Sequence, residues 1–212
     1  MRRVLVTGGA PRVAIDAVRH LRARSGGGTA TRLADRLRGL DVPADLCLSD
    51  DIAERAAALR YGDRAELDAQ VRTWVRQHPH GIVVMAAAVN DWQLDRLALV
   101  VAGAEQPIAR DAKAPSRAEG LVIRLAPAPK LIDSLRGWGL IGPIVGFKYE
   151  AADTVLAAAG ALQTRVGAAL VVANSLCGRV QALIDAQGAT RCADRKALEE
   201  QLAQRVAALA AG

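Results

Sequence analysis

Residues 81–89 read Gly-Ile-Val-Val-Met-Ala-Ala-Ala-Val. Successive bulky apolar residues leave no polar face to turn toward water. A strand of this kind fits the middle of a sheet, covered on both sides. The rest of the chain alternates to match. Residues 4–6 read as a first strand that ends in Thr7-Gly8-Gly9, and residues 13–24 carry Ile15, Val18 and Leu21 at helix-like spacing. Ser25-Gly26-Gly27-Gly28 breaks that pattern, and Ala30, Leu33, Ala34 and Leu37 then line one face of a second helix. A short strand over 46–48 follows, then a helix carrying Leu67, Val71, Trp74 and Val75 that ends near His78-Pro79.

Beyond the central strand, residues 94–119 mix Gly, Pro and charge and read as a long excursion of the kind often tied to function. Strands are expected over 121–125, 143–147 and 169–173, with helices over 130–136 and 151–165. Residues 180–192 suggest a hairpin, and Leu198, Leu202, Val206 and Leu209 a closing helix. Strands alternating with helices predict an α/β, Rossmann-like doubly wound fold. Its sheet is mostly parallel with helices on both faces, and a C-terminal hairpin and helix close one domain over residues 1–212. Such a sheet binds ligands at the carboxyl ends of its strands. The loops after Val6, Val89, Phe147 and Ala173 should therefore share one edge.

A chain of 212 residues buries roughly 70% of its unfolded surface and needs no disulfide or metal to hold its core. Cys47, Cys177 and Cys192 lie far apart without CxxC or His-rich spacing, which argues against a zinc site. An odd cysteine count without a signal peptide points to the reducing cytoplasm. No stretch is long and apolar enough for a membrane span. The net charge is +6, almost wholly from arginine, since lysine occurs only as Lys113, Lys130, Lys148 and Lys196. Arg32, Arg36 and Arg38 sit at helical spacing, as on a solvated face, and aromatics make up only 3%. Neither feature favours a nucleic-acid surface.

Several loops could carry chemistry. Thr7-Gly8-Gly9-Ala10-Pro11 lets backbone N–H groups approach a phosphate or carboxylate, or simply makes a tight strand-to-helix turn. GxGxxG is absent. Tyr61 and Tyr149 are followed four residues on by Ala65 and Asp153, not the lysine a short-chain dehydrogenase needs. Ala86-Ala87-Ala88 at a strand end leaves room for a bound group, and Asp91 supplies an acceptor at its rim; close helix–sheet packing would explain the same residues. Phe147 is a core residue or a base platform. Asn174 either reads a ligand edge or caps a turn.

These pieces, in this order, resemble the phosphopantothenoylcysteine synthetase family. The matching stretches are Val4-Leu5-Val6-Thr7-Gly8-Gly9, Ile15-Asp16-Ala17-Val18-Arg19, Arg24-Ser25-Gly26-Gly27, residues 86–92, Lys113, Ala128-Pro129-Lys130-Leu131, Val145-Gly146-Phe147 and residues 171–174. The resemblance implies a carboxylate–amine ligase of coenzyme A biosynthesis, usually a homodimer. CTP, or ATP, with Mg²⁺ activates a carboxylate as an acyl-nucleotidylate, which an amine then attacks. Lys113 matches a flap lysine that reaches the activated group, and Arg19 an arginine near the carboxylate substrate; these are the implied catalytic residues. Gly8, Gly9, Asp91, Pro129, Lys130, Leu131, Ile132, Phe147, Arg165 and Asn174 fall to the nucleotide. Asp16, Arg19, Ala86 and Ala87 fall to the acid substrate. No protein-held metal is implied.

The chain departs from the family pattern in places. Ala23 stands where the family has an Asn that orients the acyl-nucleotidylate, and loss of one such contact costs about 10²–10³ in rate. Thr29 and Ala30 replace a bulky residue and Gly. Of two triphosphate lysines expected on the helix after Phe147, Arg165 substitutes for one, and the other falls on Ala161 or Leu162. The segment between Asp91 and Lys113 is longer than usual, and a family Asn is replaced near Gln181. Two readings follow: a working ligase, with an altered acid or amine, and a catalytically impaired paralogue that binds nucleotide as a regulatory or assembly subunit.

Overall fold

In the computed structural model, residues 1–53, 59–109 and 111–212 are described. Along the chain run β1 (Val4–Gly8), β2 (Val13–Ala14), β3 (His20–Leu21), α1 (Gly28–Gly39), β4 (Ala44–Ser49), β5 (Leu59–Tyr61), α2 (Arg64–Gln77), β6 (Ile82–Met85), β7 (Trp92–Val101), β8 (Ala104–Pro107) and β9 (Gly120–Pro127). Then come α3 (Leu131–Ser134), β10 (Ile144–Glu150), α4 (Val155–Val166), β11 (Leu170–Ser175), β12 (Gln181–Asp185), β13 (Gly188–Arg191) and α5 (Arg195–Ala211).

The main sheet has eight strands in the order β13-β12-β11-β10-β6-β1-β4-β5. From β5 to β11 every pairing is parallel, and β12 and β13 add an antiparallel edge. β6 lies near the middle, and Ile82, Val83 and Val84 are fully buried. Alternate residues of each strand feed opposite faces. Leu5, Val83 and Val171 pack with Leu67, Val71 and Trp74 of α2 and with Val155 and Leu162 of α4. Val4, Val6, Val84 and Val172 pack with Leu33 and Leu37 of α1 and Leu198, Leu202 and Val206 of α5. The doubly wound architecture read from the sequence is the observed one.

Three local expectations are corrected. Residues 13–24 are not a helix: β2 and β3 pair antiparallel instead. The cause is Asp16, whose Oδ1 accepts from the backbone N–H of Val18 at 2.9 Å and of Arg19 at 2.8 Å. A short polar side chain that captures nearby amides competes directly with helix formation. Residues 94–119 are not a structureless excursion. β7, β8 and β9 form a separate antiparallel sheet, and residues 121–125 belong to it rather than to the main one. The alternation was hidden by a bulge between Leu94 and Arg96 and by a two-residue turn. That turn, Ala102-Gly103, has positive φ of 52° and 74° and is held by Glu119, which accepts both backbone N–H groups. Lastly, the central strand ends at Met85 rather than Val89. Ala87 donates to Thr7 Oγ1 and Ala88 to the Gly9 carbonyl, which bends residues 86–89 over the end of β1.

α1 sits on β1 with almost no gap. A Cβ at Gly8 would lie 2.4 Å from Ala30 Cβ and 2.9 Å from Leu48 Cδ2. Overpacking of this kind typically costs about 1–3 kcal/mol. Gly8→Ala should therefore lower the unfolding free energy by that amount, seen as a lower urea midpoint with the m-value unchanged in equilibrium denaturation.

Candidate functional site

β1 connects through α1 to β4 on one side, while β6 flanks it on the other. This reversal opens a crevice beyond the strand ends. A cleft of about 540 Å³ occupies it. Its walls are Gly8, residues 24–30, residues 85–91, residues 129–132, residues 147–150 and Asn174, with Leu162 and Arg165 from α4 and Arg195 from α5. The loops expected to share an edge do line one cavity.

Past the lining residue Gly8 the chain turns through Gly9, which does not itself line the cleft, at φ +87°, where a Cβ would stand 2.1 Å from Ser49 Oγ. Only glycine fits both the backbone and the space. Gly27, at φ 70°, begins α1 with no side-chain capping bond. The first amides of that helix therefore lack an intrahelical acceptor and carry the positive end of its dipole. Phe147 is half-buried beside Ala86 at the edge of the α1–α5 core. Asn174 is 5% exposed, and its Oδ1, buried and lining the cleft, has no hydrogen-bond partner. Gln181, opposite it on β12, likewise has an unpartnered buried Oε1.

The cleft is strongly cationic, but most of its cations are paired. Lys130 contacts Asp91, Lys148 contacts Glu150 at 3.0 Å and Arg165 contacts Asp133. Arg195 contacts Thr29 Oγ1 and Glu199 at 3.1 Å. Burial works against the charge of Glu199, yet hydrogen bonds from Arg32 and Arg195 outweigh it and hold the carboxyl below its ordinary range. Of the arginines read as a solvated face, Arg38 pairs with Asp35 along α1, while Arg32 and Arg36 reach across to Glu199 and Glu200 of α5.

A second, wider cleft of about 1090 Å³ adjoins the first. Val89, Asn90 and Pro129 line both. Asp16 and Arg19 belong to this second cleft, while Ala86 and Ala87 belong to the first, so the residues expected to share the acid substrate divide between the two. The Asp16 carboxylate is fully enclosed. It accepts from the backbone of Val18, Arg19 and Ala114 and from the Arg19 guanidinium. Lys113, the neighbour of Ala114, is exposed and lines neither cleft. Ala23 carries only a methyl group beside Arg24.

Sequence reasoning missed Arg195, Lys148, Glu150 and the role of Arg24 in the lining. Asp194, whose carboxylate caps α5 by accepting from Ala197 N at 2.8 Å, is a visible helix-start signal. It marks Arg195 as the first helical residue but not what that residue faces. Among the described residues no group of His, Cys, Asp and Glu could hold a metal ion, and no helix is long and apolar enough to cross a membrane.

The sequence profile of the DNA/pantothenate metabolism flavoprotein C-terminal domain family matches residues 1–210. The bifunctional coenzyme A biosynthesis protein CoaBC of Thermococcus kodakarensis is 29% identical over 180 residues, which is 82% of this chain and 41% of that protein. The chain thus spans about two-fifths of that relative's length. Among solved structures, the DNA/pantothenate metabolism flavoprotein from Streptococcus pneumoniae superposes with a TM-score of 0.83 at 18% identity, over 98% of this chain and 99% of that one. A Cab2 mutant in complex with phosphopantothenate-cysteine superposes with a TM-score of 0.77 at 16% identity, over 98% and 85%. At these identities the superpositions establish the fold.

The Asp16 clamp makes a pH-dependent contribution. Backbone hydrogen bonds, first that from Val18, hold its pKa down from the ordinary 3.8 to about 2. Its stabilisation is complete above the ordinary value and is lost as pH falls toward about 2. Asp16→Asn should be less stable at neutral pH and should lose that part of the acid slope. Denaturation titrations between about pH 2 and 6 test this; an unchanged slope would remove Asp16 as its source.

Proposed function

Because the chain belongs to the DNA/pantothenate metabolism flavoprotein C-terminal domain family, we propose that it is a nucleotide-dependent carboxylate–amine ligase of the phosphopantothenate–cysteine type, working in coenzyme A biosynthesis. The observation that carries this reading is the first cleft. It joins an uncapped helix start, a half-buried aromatic ring and a buried, unpartnered amide at the carboxyl edge of a parallel sheet. Those groups suit a phosphate chain, a base face and a base edge respectively.

In this reading CTP, or ATP, occupies the first cleft against Gly8, Gly9, residues 129–132, Phe147, Arg165 and Asn174. Ala86 and Ala87 leave room for the reacting carboxylate, and Asp91 holds Lys130 at the rim. The carboxylate attacks the α-phosphorus, pyrophosphate leaves, and the amine then displaces the nucleoside monophosphate from the acyl carbon. Both steps build negative charge on oxygen, which fixed cations and N–H donors stabilise. Mg²⁺ would be carried on the nucleotide and would neutralise charge on its phosphates. Arg19, oriented by Asp16, faces the second cleft, where the acid's own charged end would bind. Lys113 lies on the segment tied to Asp16 and reaches the acyl group when that segment closes over the junction of the clefts.

The protein acts as one domain over residues 1–212, in the cytoplasm, on small molecules. It pairs as a homodimer through the β7–β9 sheet, whose exposed Val101, Leu121 and Ile123 suit a second copy. The competing reading, a catalytically impaired paralogue that binds nucleotide as a regulatory or assembly subunit, rests on Ala23 and on the missing second triphosphate lysine of α4.

Pyrophosphate release from CTP and from ATP, with Mg²⁺ and 4′-phosphopantothenate, decides between them. Release that requires the acid, and amide product on adding cysteine, is the expected result. Nucleotide binding without release would favour the paralogue. Lys113→Ala should lower kcat by about 10²–10³ and leave nucleotide affinity unchanged.

A further inference from the structure

We propose that Arg195 fixes the phosphate end of the nucleotide against the start of α1, and that the buried Glu199 positions it there. This rests on the nucleotide reading of the first cleft and adds a residue from α5, at the far end of the chain.

The argument begins with charge. Lys130, Lys148 and Arg165 each face a carboxylate of their own, Asp91, Glu150 and Asp133. Glu199 instead serves two guanidinium groups, Arg32 at 2.8 and 2.6 Å and Arg195 at 3.1 Å. That cluster keeps one uncompensated positive charge. Arg24, in the loop before α1, has no acid partner among the described residues. The surplus charge of the cleft therefore gathers at one place, the first turn of α1.

The same place offers backbone donors. Arg195 reaches Thr29 Oγ1, and Arg32 stands where a Cβ on Gly28 would come within 3.0 Å of its guanidinium. The helix has no side-chain cap, so its open first turn and the Arg195 guanidinium meet at one wall of the cleft, while Arg32, outside the lining, shares Glu199 with Arg195. The buried Asn174 Oδ1 points independently to a ligand: it lines this cleft and has no partner. Val172, two residues earlier, packs in the core that holds α1 and α5, which puts Asn174 on the same face of the sheet as Arg195.

Glu199 is 6% exposed. A buried carboxylate is tolerable only when its lone pairs are engaged, so Glu199 holds both arginines in place before any ligand arrives. A guanidinium fixed in this way loses little freedom on binding and presents a planar fork that suits phosphate oxygens. α4 contributes only Arg165 as a cation, and Arg165 is already bound to Asp133.

The test compares the wild type with Arg195→Ala, Arg195→Lys and, as a control, Arg36→Ala, which breaks the Arg36–Glu200 pair between the same two helices outside the cleft. Calorimetry reads CTP, ATP and inorganic pyrophosphate, and ligand-observed NMR reads cytidine. Arg195→Ala should weaken CTP and pyrophosphate by about 10–100-fold and leave cytidine unchanged; Arg195→Lys should recover part of the loss, and Arg36→Ala should be silent. Glu199 keeps Arg32 in Arg195→Ala, so the melting curve should stay close to that of the wild type. Unchanged CTP affinity in Arg195→Ala overturns the proposal. Equal weakening of cytidine and CTP also overturns it, since that signals a disturbed helix pair rather than a lost phosphate contact. A wild type that binds pyrophosphate through Arg195 but neither nucleotide upholds the anion site and overturns the nucleotide reading. A wild type that binds none of them overturns both.

Discussion

The close approach of α1 to the end of β1 governs the geometry of the first cleft. It is possible because residue 8 has no side chain and residue 30 has only a methyl group, which leaves no space for a Cβ on Gly8. The helix therefore starts beside the crevice, and its first turn lines the cavity. α5 then packs along α1, joined by Arg32 to Glu199 and by Arg36 to Glu200. Arg195 owes its place in the cleft to this second-hand positioning. A wider residue at position 8 would shift the helix start, the helix that leans on it and every cation they carry.

Bringing so many cations into one cleft is costly in a folded chain, because like charges at short range repel. The structure resolves the conflict by giving Lys130, Lys148 and Arg165 each a carboxylate at the rim. What remains unbalanced is concentrated at the first turn of α1. A focused excess of this sort attracts anions and orients them better than a uniform basic surface would. Much of the arginine behind the net charge of +6 is held in ion pairs between and along helices.

The β7–β9 sheet and the β2–β3 ribbon form the second half of the architecture and meet around Asp16. Ile15, Leu94 and Leu97 form a small core of their own there. The Asp16 carboxylate ties the ribbon to the segment that carries Lys113. Two residues widely separated in sequence, Arg19 and Lys113, are thereby held to one anchor. Neither lines the first cleft, and among the described residues the two clefts share Val89, Asn90 and Pro129.

Apolar patterning by itself determined most of the main sheet, the helices that cover it and the edge on which the first cleft opens. The runs at 82–85 and 171–173 and the helix faces of Leu33 and Leu37 or Leu67 and Val71 can be buried in essentially one way. Gly8, Gly27, Ala86, Ala87, Phe147 and Asn174, each near a strand end or a helix start that the pattern reveals, do line the first cleft. Where local polar bonds outcompete periodicity, the pattern misleads. Asp16 turned an apparent helix into a ribbon, and a bulge after Leu94 concealed a strand. Only the tertiary structure decided that Arg195 would stand at the start of α1, that Glu199 would hold it, and that Asp16 would bind a residue 98 positions away. Those contacts join segments distant in sequence, and they exist only once the helices have packed.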